Sequence, residues 1–151
     1  MTKRSRHLVV GIGSAHGDDQ AGWLLIDALL LRNRTSVPLR KAAVPHDMID
    51  WLDDCKSLHI VDACDSEDAV RRFDLSNGNV TTNTNTRCGS SHQMGVGDVM
   101  QLARSLGRLP EQVILWAIPG HNFHPGGAIS EPCMKQVELC ADRIQKDLFQ
   151  P

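Results

Sequence analysis

LVVGIGSAHGDDQAG, residues 8–22, compresses a buried strand, a tight glycine turn and the acidic start of a helix into fifteen residues. Leu8, Val9, Val10 and Ile12 form a short apolar run rich in β-branched side chains, the mark of a parallel strand covered on both faces. Gly11 and Gly13 permit backbone bends that a Cβ would resist. Asp18 and Asp19 then stand just before Ala21, Leu24, Leu25, Ala28 and Leu29, whose spacing of three and four residues gives a helix one apolar face. The stretch predicts the first strand-to-helix joint of an α/β domain. It puts two carboxylates at a helix N-terminus, on the carboxyl edge of a sheet.

One aspartate in that place caps free backbone N–H groups and complements the helix dipole. Two adjacent ones, at the edge where open α/β sheets bind ligands, point to a further role for the second. The rival reading is a dinucleotide fold, since Gly11, Gly13 and Gly17 make a loose G-x-G-x-x-x-G. That fingerprint needs a helix N-terminus free to receive pyrophosphate. Here the same place carries two negative charges that would repel it.

The chain has 151 residues, 41% of them hydrophobic, which suits a single domain over 1–151 with an adequate core. A formal net charge of -2 gives no electrostatic case for nucleic acid or an anionic membrane. The WLLIDALLL run at 23–31 is too short for a membrane span and is interrupted by Asp27, and no signal-peptide pattern follows the basic start. A soluble cytoplasmic protein is expected. The five cysteines, Cys55, Cys64, Cys88, Cys133 and Cys140, include no C-x-x-C pair. Reduced, mostly buried thiols are the expectation.

Taken in order, the first helix ends near Arg32 to Arg34, and a second strand follows near Leu39 to Val44. Pro45 opens a short helix through Leu52, with Met48, Ile49 and Leu52 on its apolar side. Leu58 to Ala63 repeats the buried-strand pattern but carries an aspartate, Asp62, at its carboxyl end. Residues 66–89 are the least legible; VTTNTNT at 80–86 reads as an edge strand or a loop. In SSHQMGVGDVMQLA, residues 90–103, Val96, Val99, Met100 and Ala103 set a helical face, with Ser90 or Ser91 as N-cap and His92 at the helix entrance. Val113 to Ile118 makes the last strong strand. A glycine, proline and histidine loop over 119–127 leads to a final helix opened by Ser130, Glu131 and Pro132. A lone histidine such as His92 is by default structural. Beside two strand-end aspartates it completes a sensible three-ligand set for a divalent transition metal.

Three blocks, VVGIGSAHGDDQAG at 9–22, HIVDACD at 59–65 and SSHQMGVGDVMQLA at 90–103, resemble the [NiFe]-hydrogenase maturation proteases in order and spacing. These endopeptidases trim the C-terminus of the hydrogenase large subunit. The resemblance implies a three-layer α/β domain with a twisted, mostly parallel sheet of about five strands and helices on both faces. It also implies a metal-binding and catalytic site on Asp19, Asp62 and His92, with Asp18 a further catalytic candidate. The first block departs from the family: Ser14 stands where asparagine is usual, the loop before the acidic pair is one residue shorter, and Gln20 stands where glycine is usual.

The chemistry so implied is peptide hydrolysis with nickel borne by the substrate and no tightly bound cofactor in the protease. Its partner is the large-subunit precursor. The metal would polarise the scissile carbonyl or activate a water, and an aspartate acting as general base is equally writable. A Cys88–His92 thiolate pair is a weaker alternative. A non-catalytic, metal- or partner-binding maturation factor and a small-molecule-binding α/β domain are the competing classes. His121 and His124 either serve recognition of the large subunit or are loop residues without a role.

Overall fold

The computed structural model describes residues 7–32, 36–65, 68–76 and 95–149. The apolar runs become the strands that their side chains dictate. They are β1 His7–Ile12, β2 Leu39–Ala42, β3 Ser57–Cys64, β4 Arg71–Asp74 and β5 Gln112–Pro119, in one sheet of order β2-β1-β3-β5-β4. β1 pairs in parallel with β2 and β3, and β3 with β5; β4 joins the edge antiparallel to β5. Every residue of β3 is buried, as a central strand covered on both faces requires.

Successive side chains on a strand alternate between faces, and the core divides accordingly. Leu8, Val10, Leu58 and Ile60 pack with Met48, Val99 and Met100 on one face. Val9, Val61, Ile114 and Trp116 pack on the other face against α1 Ala21–Arg32 and α3 Glu131–Phe149. α2 Val96–Ser105 and a 3-10 turn over Pro45–Trp51 cover the first face. This is the three-layer, mostly parallel arrangement expected.

Differences from the sequence expectations are local. The second strand stops at Ala42, and the segment after Pro45 winds as 3-10 turns, although Met48, Ile49 and Leu52 are buried as expected. α2 begins at Val96 behind Gly95, not at Ser90 or Ser91; the Asp98 carboxylate accepts the Gly95 N–H at 3.3 Å and so holds the first turn. Ser90, Ser91, His92, the VTTNTNT run and Cys88 lie outside the described residues. Among the described residues β4 is a polar edge strand, where the Arg71 guanidinium lies over the Phe73 ring. Cys55, Cys133 and Cys140 are free thiols, but Cys64 is disulfide-bonded, contrary to the expectation of reduced cysteines. Among the described residues no helix is long and apolar enough to cross a membrane.

Between the central strands β3 and β5, the planes of the His59 and Trp116 rings are nearly parallel, 18° apart. The indole Nε1–H donates to His59 Nδ1 at 3.0 Å, which fixes the imidazole as its neutral Nε2–H form. Burial pushes His59 down to about 4; nearby Asp147 opposes this, while His7 and Arg72 add to it. An imidazole that takes up its proton less readily when folded contributes stability that is complete above the unfolded pKa of 6.5 and is lost as pH falls towards 4. The loss expected over that window is ~3 kcal/mol. His59→Gln, which keeps an acceptor without titrating, is expected to flatten the pH dependence of urea midpoints between pH 6.5 and 4. An unchanged slope would remove His59 as its source.

Candidate active site

In a 2-1-3 strand order the chain leaves β1 for one side of the sheet and β3 lies on the other, so a crevice opens between their carboxyl ends. Asp19 follows β1 in a 3-10 turn, Gly17–Gln20, that runs directly into α1; Asp62 lies near the carboxyl end of β3. The fold thus brings together two aspartates that stand 43 positions apart in the sequence.

Both carboxylates are buried, Asp19 at 8% and Asp62 at 1% exposure. Asp19 Oδ1 and Asp62 Oδ2 have no hydrogen-bond partner among the described residues. Asp62 Oδ1 accepts the N–H of Ala63 at 2.9 Å. Burial, then the neighbouring Asp19 charge, raise the Asp62 carboxyl well above the usual range, and the Ala63 N–H offsets only part of this. Like charges forced together in a dry site resist double ionisation. An unpaired buried oxygen on each member is what a cation or a shared proton would satisfy. The donor set therefore fits a divalent metal, although no group of three or more His, Cys, Asp or Glu side chains in the described residues is arranged to hold one alone.

Asp18 has a different environment. Its Oδ2 accepts the N–H groups of His121 at 2.7 Å and Asn122 at 3.0 Å and the hydroxyl of Ser130 at 2.9 Å. Its Oδ1 accepts the Ser130 N–H at 2.7 Å. Burial alone would raise the Asp18 carboxyl, but these four bonds together hold it below its ordinary value, so it stays ionised. Sequence reasoning placed Asp18 beside Asp19 as a catalytic candidate. The structure gives both of its oxygens to the segment between β5 and α3.

That segment is joined to the 16–20 turn at further points. The Gly17 N–H donates to the Gly127 carbonyl at 2.8 Å, and the Gly126 N–H to His16 Nδ1 at 2.8 Å. Gly17 has φ +53, and a Cβ there would come within 2.3 Å of the Asn122 carbonyl oxygen. Only glycine fits that approach. Of the departures from the family pattern, Gln20 takes part in the same joint, its Nε2 donating to the Gly127 carbonyl at 3.1 Å, while Ser14 Oγ accepts the His16 N–H at 3.3 Å within its own loop. His121 and His124 are exposed.

A family model described as hydrogenase maturation protease matches residues 42–147, a span that takes in Asp62 but begins after the 9–22 block. The fold is similar to that of the hydrogenase maturating endopeptidase HybD from E. coli, with a TM-score of 0.74 and 18% identity over 95% of this chain and 92% of that one. For HybD from Thermococcus kodakarensis the TM-score is 0.77 and the identity 19%, covering 94% and 98%. For the endopeptidase HycI from Escherichia coli the values are 0.69 and 19%, covering 92% and 88%. No curated protein matches the sequence. With well over half its length matched by the family model, and with buried carboxylates at the crevice of the shared fold, the chain belongs to the hydrogenase maturation protease family and is an endopeptidase.

Proposed function

We propose that this endopeptidase removes a C-terminal extension from the large-subunit precursor of a [NiFe] hydrogenase, and that Asp19, Asp62 and His92 act on nickel carried by that substrate. The observation that carries the reading is the pair of buried oxygens, Asp19 Oδ1 and Asp62 Oδ2, left without partners at the crevice. Oxygens so placed gain most from a partner that arrives with the substrate. Two carboxylates and an imidazole form an incomplete set that a metal seated in substrate cysteines completes.

Nickel so held polarises the scissile carbonyl or lowers the pKa of an attacking water. Water adds to the carbonyl carbon and the C–N bond breaks. The water's proton is taken up by a carboxylate oxygen not engaged with the nickel and handed to the leaving amine, leaving a new C-terminal carboxylate and a free peptide.

The site in isolation is open and oxygen-rich, so the purified protease is expected to carry nickel in less than stoichiometric amount, removable by mild chelation. Matched nickel-free and nickel-loaded large subunits, incubated with it, are expected to differ: only the loaded form loses its C-terminal peptide by intact mass. Equal cleavage of both would overturn the substrate-metal reading. Tightly bound zinc in the isolated protein would replace it with an ordinary metallopeptidase.

A further inference from the structure

The joint between the 16–20 turn and the β5–α3 segment is more heavily built than so short a turn needs for its own stability. Asp18 is fully buried, and its carboxylate takes three backbone N–H groups and one hydroxyl from residues 121–130. Its own N–H goes to the Asn122 carbonyl. The next residue is Asp19. Its backbone is gripped on both sides, the N–H donating to the His16 carbonyl at 3.0 Å and the carbonyl accepting the Ser14 N–H at 3.1 Å.

The reason for such a grip lies in the side chain that it carries. A buried carboxylate with an unpartnered oxygen gains by swinging out to water. Nothing on the Asp19 Oδ1 atom itself opposes that movement among the described residues. The grip on the Asp19 backbone supplies resistance that its Oδ1 atom does not. The backbone is fixed where Asp18 is bolted to the segment that follows β5 at the same carboxyl edge of the sheet.

We infer that Asp18 is a positioning residue, which locks the 16–20 turn onto the 120–130 segment and thereby holds the Asp19 carboxylate at the crevice. This rests on the reading of Asp19 as a site residue. The cost of losing the lock is geometric: displacing a reacting group by about 1 Å lowers turnover on the order of 100-fold. An amide in place of the Asp18 carboxylate turns its NH2 towards at least one of these donors, so Asp18→Asn removes a bond and sets two donors face to face.

The experiment compares kcat and KM for a nickel-loaded large-subunit precursor, well below the melting temperature of each variant, with folding checked by near-ultraviolet circular dichroism. Arg32→Ala is the control. It breaks the contacts of α1 to Glu138, Asp142 and Gln145 of α3, and so destabilises the same helices away from the crevice. Asp18→Asn is expected to lose about 30- to 100-fold in kcat with KM within about threefold of the parent, while Arg32→Ala keeps the parental kcat. Parental kcat in folded Asp18→Asn, or a rise confined to KM, would overturn the inference. If Asp18→Asn does not fold, Ser130→Ala carries the test, since it removes only the hydroxyl bond to Asp18 and the Ser130 Oγ contact to the Cys133 N–H. A fall in its kcat of about threefold or more is expected, and an unchanged kcat overturns the inference. Asp19→Asn run in parallel separates the two levels: if it retains activity, the site reading itself fails.

Discussion

Asp62→Asn is expected to abolish processing and at the same time to raise the melting temperature of the protein at pH 7. The two effects have one cause. Asp62 is buried beside Asp19 with one oxygen unpartnered, and burial together with that neighbouring charge raises its carboxyl well above the usual range. A carboxyl that binds its proton more tightly when folded makes no net demand on stability below the unfolded pKa of 3.8 and an increasing one as pH rises above it. Asparagine keeps the shape and the acceptor for the Ala63 N–H but does not ionise. The stability gain should therefore be negligible near pH 3.5 and grow towards neutrality. Loss of activity should be about 100- to 10,000-fold, the range for a group that takes part in proton transfer. Thermal melts at several pH values and a mass-based processing assay check both halves. Retained processing, or a melting temperature that falls at pH 7, would contradict the placement of Asp62 in an unsatisfied pair. Such a trade of stability for activity is the usual signature of a working site.

Gly22→Ala is expected to prevent folding outright. A Cβ at Gly22 would come within 2.2 Å of the Ile12 carbonyl oxygen and 2.9 Å of the Val61 carbonyl oxygen. These are backbone atoms of β1 and β3, with no flexible side chain to give way. From the strand side, a Cβ at Gly11 would come within 2.1 Å of the Gly22 carbonyl oxygen. The first turn of α1 thus lies directly on the strands, glycine against glycine, and an added methyl must push the helix off the sheet. We expect a loss of more than about 4 kcal/mol, beyond the usual range for a point substitution. Gly95→Ala, where a Cβ meets nothing within 4 Å, is the control and should cost no more than about 1 kcal/mol. A cooperative melt for Gly22→Ala within a few degrees of the parent would show that the helix can shift at little cost.

Much of this architecture is legible in the sequence because it is written in local patterns. The runs at 8–12, 58–63 and 113–118 are apolar and branched enough that only covered strands suit them, and Ser130 reads as a helix start. Asp19 and Asp62 are also legible, because polar side chains that close apolar strands or open helices stand out against their neighbours. What escapes is non-local. β4 presents only Phe73 as an apolar signal within Arg71–Asp74, and its strand conformation comes from pairing with β5. Asp18 and Asp19 are chemically identical neighbours. Only the partners of Asp18, supplied by residues 121–130, separate an anchored carboxylate from an unsatisfied one.

The bolt between Asp18 and Ser130 spans 112 positions, and that between Asp18 and His121 spans 103. Contacts so distant along the chain close late in folding, after nearer ones have formed. On a ribosome the order is stricter still, because β1, α1 and β3 emerge while the segment that must hold Asp18 has not yet been synthesised. A nascent chain therefore has both crevice aspartates but lacks the piece that aims one of them. With Asp18 as the positioning residue inferred above, the nascent protease is expected to be inactive until residues 119–130 have been translated and docked.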